Sequence, residues 1–275
     1  MIRLLRLAAL LTGVLAATLI VAVVVIYFVA EARLNRVYDI PPELIEIPAD
    51  AASVERGRRL ATFVRCHECH GNNLAGAMYI DSSLIGQLVA RNLTSGKGGI
   101  GGEYSDSDWV NALRHGIVPD GKSLLITPAI YYYQMSDSDV GALVAFIKSV
   151  RPVDRELPPN SLGPLGRVFL LFEDSWLPAE GIDHTGPRPP VVAPGVTRKY
   201  GEYLVQIGGC QVCHQGTYQV AGWTEADFLR AMRSGLAPGG ILLENSYMPW
   251  RNTTPMSDDD LRAMWLYLES IASGP

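Results

Sequence analysis

The longest apolar stretch of the chain lies at its N-terminal end, where residues Leu7 to Ala30 contain no charged side chain. As a helix this stretch would extend about 36 Å, which is enough to cross the hydrocarbon layer of a bilayer, about 30 Å thick. A cleaved signal peptide usually has a shorter apolar core. The pattern therefore predicts a retained membrane anchor within residues 1–36. The alternative is a leader that is cleaved near Ala30–Ala32.

Further along the chain, apolar residues recur at helical spacing after Ser136 and again after Ser257. Each serine is followed three residues later by an aspartate, Asp139 or Asp260, which is a variant of the N-terminal capping box. Two earlier segments in each half show similar helical patterns, and no convincing strand pattern is found. The sequence therefore predicts three helices in each half and an all-α fold.

The two halves resemble one another in sequence. The segment YSDSDWVNALRHGIVPDG from Tyr104 parallels WTEADFLRAMRSGLAPGG from Trp223. In each half a glycine, Gly57 or Gly201, stands nine residues before the first cysteine. These small residues would let the first helix of a half cross closely over its last helix. The repetition predicts that one domain type occurs twice.

All four cysteines lie in two C-x-x-C-H motifs, CHECH at Cys66–His70 and CQVCH at Cys210–His214. This spacing is typical of haem c attachment, in which two thiols bond the porphyrin and the adjacent histidine ligates iron. A zinc site would need four ligands, and only His115 and His184 remain outside the motifs. A thioredoxin-like redox pair would need a βαβ setting, which the sequence pattern does not show. The two motifs predict two covalently attached haem c groups, held by Cys66, Cys69, His70, Cys210, Cys213 and His214.

Residues 37–275 carry 19 basic and 27 acidic side chains, and therefore a formal charge of −8. This acidic balance argues against a nucleic-acid partner and is compatible with docking to a basic redox protein. The glycine-rich segment SGKGGIGG at 95–102 lacks the residue order of a phosphate-binding loop and is interpreted as a turn over a haem edge. No nucleophile–base constellation is found, so the two haem motifs are predicted to serve an electron carrier and not an enzyme.

With these motifs in place, the chain resembles tandem class I cytochromes c from about residue 50 to residue 275. It is similar to the membrane-bound multihaem cytochrome c subunits that accompany bacterial periplasmic dehydrogenases. The segments that carry this resemblance are RNLTSGKGGIGGEYSDSDW (91–109), ALRHGIVPDG (112–121) and MPW (248–250). Those subunits commonly carry three haems, whereas this chain has two motifs.

The resemblance implies two tandem class I cytochrome c domains behind an N-terminal transmembrane helix. The expected divisions are an anchor at 1–36, domain 1 with its tether at 37–152, a proline-rich linker at 153–197 and domain 2 at 198–275. Haem c is attached outside the cytoplasmic membrane in bacteria, so both haem domains are expected in the periplasm. The expected partners are the membrane and redox proteins such as a dehydrogenase or a respiratory complex.

The resemblance also implies that the distal haem ligand is the methionine of a Met-Pro pair, nine residues before the cap of the last helix. Met248 occupies this place in the second half. The same count in the first half ends at Thr127, so the expected ligand is missing there. The candidates for the first iron are Met135, Met78, His115 or no protein ligand. An open first iron would suit one alternative function, a dihaem peroxidase. The other alternative is a non-catalytic electron-transfer subunit of a larger dehydrogenase or respiratory complex.

Residues 151–199 contain nine of the 18 prolines, including PRPP at Pro187–Pro190. Such composition is typical of a stiff tether between domains. The segment GRVFLLFEDSWL at Gly166–Leu177, which contains the apolar run VFLLF, is too short to span a membrane. It is expected to pack across a haem domain or against the anchor.

Overall fold

The structure is a computed structural model that describes residues 1–186, 191–215 and 217–272. Helices dominate these residues, which confirms the predicted helical character. The α-helices are α1 Ile2–Leu34, α2 Ala51–Phe63, α3 Cys66–His70, α4 Asp106–His115, α5 Ala129–Tyr132, α6 Asp137–Ser149, α7 Pro164–Phe172, α8 Arg198–Ile207, α9 Gln211–His214, α10 Glu225–Ser234 and α11 Asp258–Ala272. Short 3₁₀ helices occur at Asp174–Trp176, Pro178–Gly181, Pro238–Gly240 and Trp250–Thr253.

The prediction that the chain lacks strands is wrong. The strands are β1 Ala77–Ser82, β2 Gly86–Ala90, β3 Ser161–Leu162, β4 Leu236–Ala237 and β5 Ile241–Leu242. Strand β2 pairs antiparallel with both β1 and β3, and β4 pairs with β5. The register of β1 shifts between Met78 and Ile80, which breaks the alternation by which a strand is recognised in sequence. The insertion after the first motif is thus a β-hairpin.

The predicted close crossing of the first and last helices is present in both halves. Helix α2 packs against α6, and α8 packs against α11. A Cβ atom built on Gly57 would lie 1.9 Å from the carbonyl oxygen of Ala142. A Cβ atom on Gly201 would lie 1.8 Å from the carbonyl oxygen of Ala263. Glycine is therefore required at the same place in each half, because the helix backbones are in direct contact there.

We expect Gly57→Ala and Gly201→Ala each to lower the free energy of unfolding by about 3 kcal/mol, because the added methyl group must push two helices apart. Helix propensity alone predicts the opposite sign, a gain of about 1 kcal/mol. The measurement is denaturant unfolding in mild detergent. Gly102→Ala is the matched control, since its Cβ would meet nothing closer than 3.9 Å. Stability equal to that of the control would contradict the close crossing.

The predicted helix starts are confirmed. The hydroxyl oxygens of Ser136 and Ser257 accept hydrogen bonds from the backbone N–H groups of Asp139 and Asp260, at 3.3 and 3.1 Å. The helices before them, α4 and α10, begin with complete capping boxes. All three helices of each half therefore stand where the sequence patterns place them.

The two halves pack directly on one another. Asp139, which is 1% exposed, accepts hydrogen bonds from Arg56 Nε at 2.5 Å and from the Tyr203 hydroxyl at 2.6 Å. The same Tyr203 oxygen accepts the backbone N–H of Ser136 at 3.1 Å. Because a buried carboxylate is costly unless it is paired, this network favours one arrangement of the halves. Their spacing is therefore set by a shared core and not by a tether alone.

The segment predicted to be a proline-rich linker is folded over much of its length. It contains β3, α7 and two of the 3₁₀ helices, and α7 packs against α1 as one of the two predicted alternatives. At its start the Val153 carbonyl accepts a hydrogen bond from Asn92 Nδ2 at 2.8 Å, and Gly96 packs against the same residue. The PRPP segment lies outside the described residues.

Candidate haem-binding site

The first C-x-x-C-H motif lines a cavity of about 540 Å³. Cys66, Cys69 and His70 all line it. The remaining walls are mostly apolar and include Leu88, Val89, Leu93, Ile100, Leu113 and Ile147. An apolar cleft with a few polar groups is typical of a cofactor site.

The His70 ring is oriented for binding a metal through Nε2. Its Nδ1 donates a hydrogen bond to the Arg91 carbonyl oxygen at 2.7 Å, since a carbonyl can only accept. This bond fixes the tautomer that leaves the Nε2 lone pair available, as is usual for metal-ligating histidines. Burial lowers the pKa of His70, which favours the neutral imidazole that a metal ligand requires. The donor set therefore fits an iron ligand.

Trp109 supplies a second test of whether the cavity fits a haem group. Its ring lines the cavity and is 3% exposed, and its Nε1 has no hydrogen-bond partner among the described residues. A buried N–H without an acceptor is costly, so an acceptor is expected in the cavity. The carboxylates of haem are such acceptors. In the second half the corresponding residue is Phe228, which has no N–H donor in its side chain.

The second motif adopts a similar local conformation, with its histidine at the end of the short helix α9. Cys210 is half-buried against the core, whereas Cys213 is exposed. The His214 ring stacks on Tyr218, with centroids 4.9 Å apart. The two thiols and the imidazole thus stand on one turn of chain, as in the first motif.

The loop of the second motif forms part of the wall of the first cavity. Gly208, Gly209 and Val212 line this cavity, and Val212 lies between the two cysteines of the second motif. Tyr131 also lines it and lies next to Gly209. In addition, Asn252 Nδ2 donates a hydrogen bond to Glu68, inside the first motif, at 2.6 Å. The two motifs are therefore neighbours in the fold, which the sequence alone does not reveal.

Thr127 lines the cavity that contains the first motif, together with Pro128 and Ile126. This is the place that the count of residues assigns to the distal ligand. A threonine hydroxyl accepts and donates hydrogen bonds but lacks the soft thioether sulfur of methionine. Thr127 and the first motif therefore line the same cavity.

The other candidate ligands lie elsewhere. Met135 is 1% exposed within the helical core, and Met78 lies on β1 with 37% exposure; neither lines the cavity. His115 Nδ1 lies 2.9 Å from His184 Nδ1, and His184 Nε2 donates to the Ala179 carbonyl. The structure thus does not bring Met135, Met78 or His115 to the first motif. Met248 is half-buried against the core of the second half, and its ligation stays a prediction.

Comparison with known proteins agrees with the geometry of the first motif. Residues 54–151 match the cytochrome c family model. Residues 54–151 therefore form a cytochrome c domain. This cytochrome is 30% identical to the cytochrome c subunit of a quinone-dependent alcohol dehydrogenase from Gluconobacter oxydans, over 82% of the chain and 56% of that protein. It is 34% identical to a gluconate 2-dehydrogenase cytochrome c subunit from Pantoea cypripedii, over 84% and 62%.

A third relative is similar in length to this cytochrome. A diheme cytochrome c-type protein from Cereibacter sphaeroides is 27% identical over 91% of the chain and 96% of that protein. In contrast, the cytochrome spans little more than half the length of the dehydrogenase subunits named above. Cytochrome c domains bind haem c covalently and carry electrons, and the cavity at Cys66–His70 fits that cofactor.

Proposed function

We propose that this cytochrome is a membrane-anchored dihaem electron carrier that passes single electrons between redox proteins on the periplasmic side of a bacterial cytoplasmic membrane. The observation that carries the proposal is the shared wall, in which Val212 of the second motif and Gly209 directly before that motif line the cavity of the first. Electron transfer weakens steeply with distance, so neighbouring attachment loops favour transfer within the chain. By itself the chain would be a carrier and not an enzyme.

The residues that would hold the two haem groups are Cys66, Cys69 and His70 for the first and Cys210, Cys213, His214 and Met248 for the second. Bound haem c supplies a one-electron iron couple. In the first cavity His70 would present Nε2, Trp109 would donate its indole N–H to a carboxylate, and the apolar wall would exclude water. Thr127 in place of methionine would leave the first iron without a soft distal ligand.

Two tandem cytochrome c domains, at 37–152 and 198–275, are part of this proposal. They are supported by a pair of equivalent contacts, one in each half, that the sequence pattern did not reveal. Arg114 Nη2 donates to the Met135 carbonyl at 3.2 Å and to Asp137 at 2.5 Å. Arg233 Nη2 donates to Met256 and Asp258 in the same way, at 2.7 Å each. In both halves an arginine of the middle helix thus holds the start of the last helix.

The anchor and the partner complete the proposal. Among the described residues, α1 is the helix that is long and apolar enough to cross a membrane. Two relatives are named as cytochrome c subunits of dehydrogenases, which supports a dehydrogenase as the electron donor. Attachment of haem c outside the cytoplasmic membrane would place both haem domains in the periplasm.

Paired cysteine variants test the number and location of the haems. The wild-type protein is expected to carry two covalent haems by intact-mass spectrometry and to accept two electrons in a reductive titration. Cys66→Ser/Cys69→Ser and Cys210→Ser/Cys213→Ser are each expected to retain one haem and accept one electron. Serine preserves size and removes the thioether bond, so the change is confined to attachment.

His67→Gln is the control, because His67 occupies a variable position inside the first motif and is expected to leave both haems in place. One haem in the wild-type protein would overturn the dihaem proposal. Loss of both haems in either double variant would show that the two halves do not bind cofactor independently.

A second candidate function is a dihaem peroxidase, favoured by the presence of Thr127 at the first cavity. Peroxide needs an open iron position, and threonine leaves one. Turnover of hydrogen peroxide by the purified dihaem protein, with a reduced partner as electron donor, separates the two functions. A rate no faster than that of the Cys66→Ser/Cys69→Ser variant would exclude the peroxidase.

A further inference from the structure

Helix α7 packs on the periplasmic end of the proposed membrane anchor. Ala30 of α1, Leu170 of α7 and Leu177 form a small apolar cluster, separate from the main core, in which each residue is 0% exposed. Nearly all of the apolar surface of α1 before this point is exposed, as expected for a segment that faces lipid. The cluster therefore fixes α7 against the last two turns of α1.

Two arginines reinforce this contact. Arg33 donates hydrogen bonds to Glu180, with Nε 3.1 Å from Oε2, and to the Leu170 carbonyl. Arg167 pairs with Glu31 at 2.8 Å and lies over the Tyr27 ring, 4.7 Å from its centroid. These pairs are only partly exposed, so they are less screened than surface pairs. The position of α7 along the axis of α1 is thus set by both of these arginine contacts.

The opposite face of α7 is apolar and partly exposed, with Phe169 in contact with the Trp176 ring, whose centroid lies 5.8 Å away. Leu165, Phe169 and Phe172 follow one another at spacings of four and three residues, which places them on one side of the helix. They are 42%, 41% and 78% exposed. Leu84, at the tip of the β1–β2 hairpin, is 57% exposed, and its carbonyl accepts the Leu165 N–H at 2.9 Å. The hairpin tip and the helix thus form one apolar patch.

The level of this patch coincides with the expected membrane boundary. The uncharged stretch of α1 is about 36 Å long and the hydrocarbon layer about 30 Å, so its last turn lies at the interface. Tyr27 and Ala30, against which α7 packs, belong to that turn. Aromatic rings with arginines beside them are typical of this depth. A lipid surface therefore fits the patch better than a protein partner does.

We infer that α7 lies in the outer membrane–water interface, with Leu165, Phe169, Phe172 and Leu84 inserted among lipid chains. The inference rests on the proposed membrane anchoring. A second attachment point prevents the haem domains from swinging about α1. It also holds the first cavity at a fixed height, because strand β2 both lines that cavity and pairs with β3, which leads into α7.

Spin labels on the full-length holoprotein in phosphatidylcholine–phosphatidylglycerol liposomes test the inference. The native thiols are held in the proposed thioether bonds, so only an introduced cysteine reacts. Single labels are placed by Phe172→Cys on the patch, Val24→Cys in the anchor and Leu242→Cys on a distant exposed strand, where Leu242 is 77% exposed. The ratio of oxygen to nickel-chelate collision rates rises with depth in the bilayer.

Residue 172 is expected to give a ratio several-fold above that of residue 242 and below that of residue 24. A label at 172 with the ratio of 242, while 24 remains in lipid, would overturn the interfacial helix and leave the anchor intact. A label at 24 in water would overturn the anchoring and the inference together. Phe169→Cys repeats the test, so a local effect of one label does not decide the outcome.

Discussion

Replacing Met248 with leucine is expected to abolish the near-infrared methionine-to-ferric-haem band and to lower the potential of one haem only. Thioether ligation favours reduced iron, and axial ligands span about 0.8 V, so we expect a fall on the order of 0.2 V. Leucine is nearly equal in volume to methionine, and such exchanges usually cost less than about 1.5 kcal/mol of stability. The measurement is a potentiometric titration combined with ferric near-infrared spectra.

Met256→Leu is the matched control. Met256 is 5% exposed in the core of the same half and is expected to affect neither band nor potential. If Met248→Leu leaves half of the band, the first iron has a methionine ligand that the structure does not reveal. If the whole band survives, Met248 is not a ligand and the second haem must be ligated in another way.

The helices of both halves could be predicted because their signals are local. The caps at Ser136 and Ser257 and the spacing of apolar residues behind them depend on a single turn of chain. Gly57 and Gly201 were identified through the repeat, and their role as contact points follows from their lack of a side chain. Such features can be recognised without knowledge of the rest of the fold.

The parts that escaped prediction depend on distant partners. Strand β1 has an irregular register and is held by β2, so it shows no regular alternation. Arg114 is completely buried, although arginine is seldom buried, because Glu43 and Asp137 from other segments pair with it. The repeated arginine in ALRHG and AMRSG was a usable signal. The nine prolines of residues 151–199 favour a tether, and they mask the short apolar helix at Pro164–Phe172.

In the candidate site, too, some residues could be predicted from the sequence and others could not. Each C-x-x-C-H motif is contiguous, so the three attachment residues of each motif can be identified directly from sequence. The Arg91 carbonyl and the Trp109 indole join the site only through the fold, although Trp109 stood in a segment that the family resemblance had marked. The shared wall at Gly209 and Val212 required both halves to be packed. Only one feature predicted a difference in distal ligation between the two sites, namely that Thr127 stands where methionine is expected.

Thr127→Met is expected to supply the distal ligand that the first half lacks. Thr127 lines the first cavity, and among the described residues its hydroxyl makes one long hydrogen bond, to the Leu125 carbonyl at 3.4 Å, so little is lost by removing it. Methionine is longer and flexible, and its sulfur can reach farther into the cavity. The variant should gain a second methionine–iron band and raise the lower potential by an amount on the order of 0.2 V.

The background for this test is Met248→Leu, in which any methionine band must come from the first haem. Thr127→Met/Met248→Leu is therefore expected to restore one band, and the ferrous first haem should lose binding of carbon monoxide. Ser123→Met is the control, since Ser123 also lines the cavity but lies four residues before the expected ligand position. A restored band in both variants would show that any flexible thioether in the cavity reaches iron. A band in neither would mean that residue 127 does not face the iron, and the unequal ligation would then need another cause.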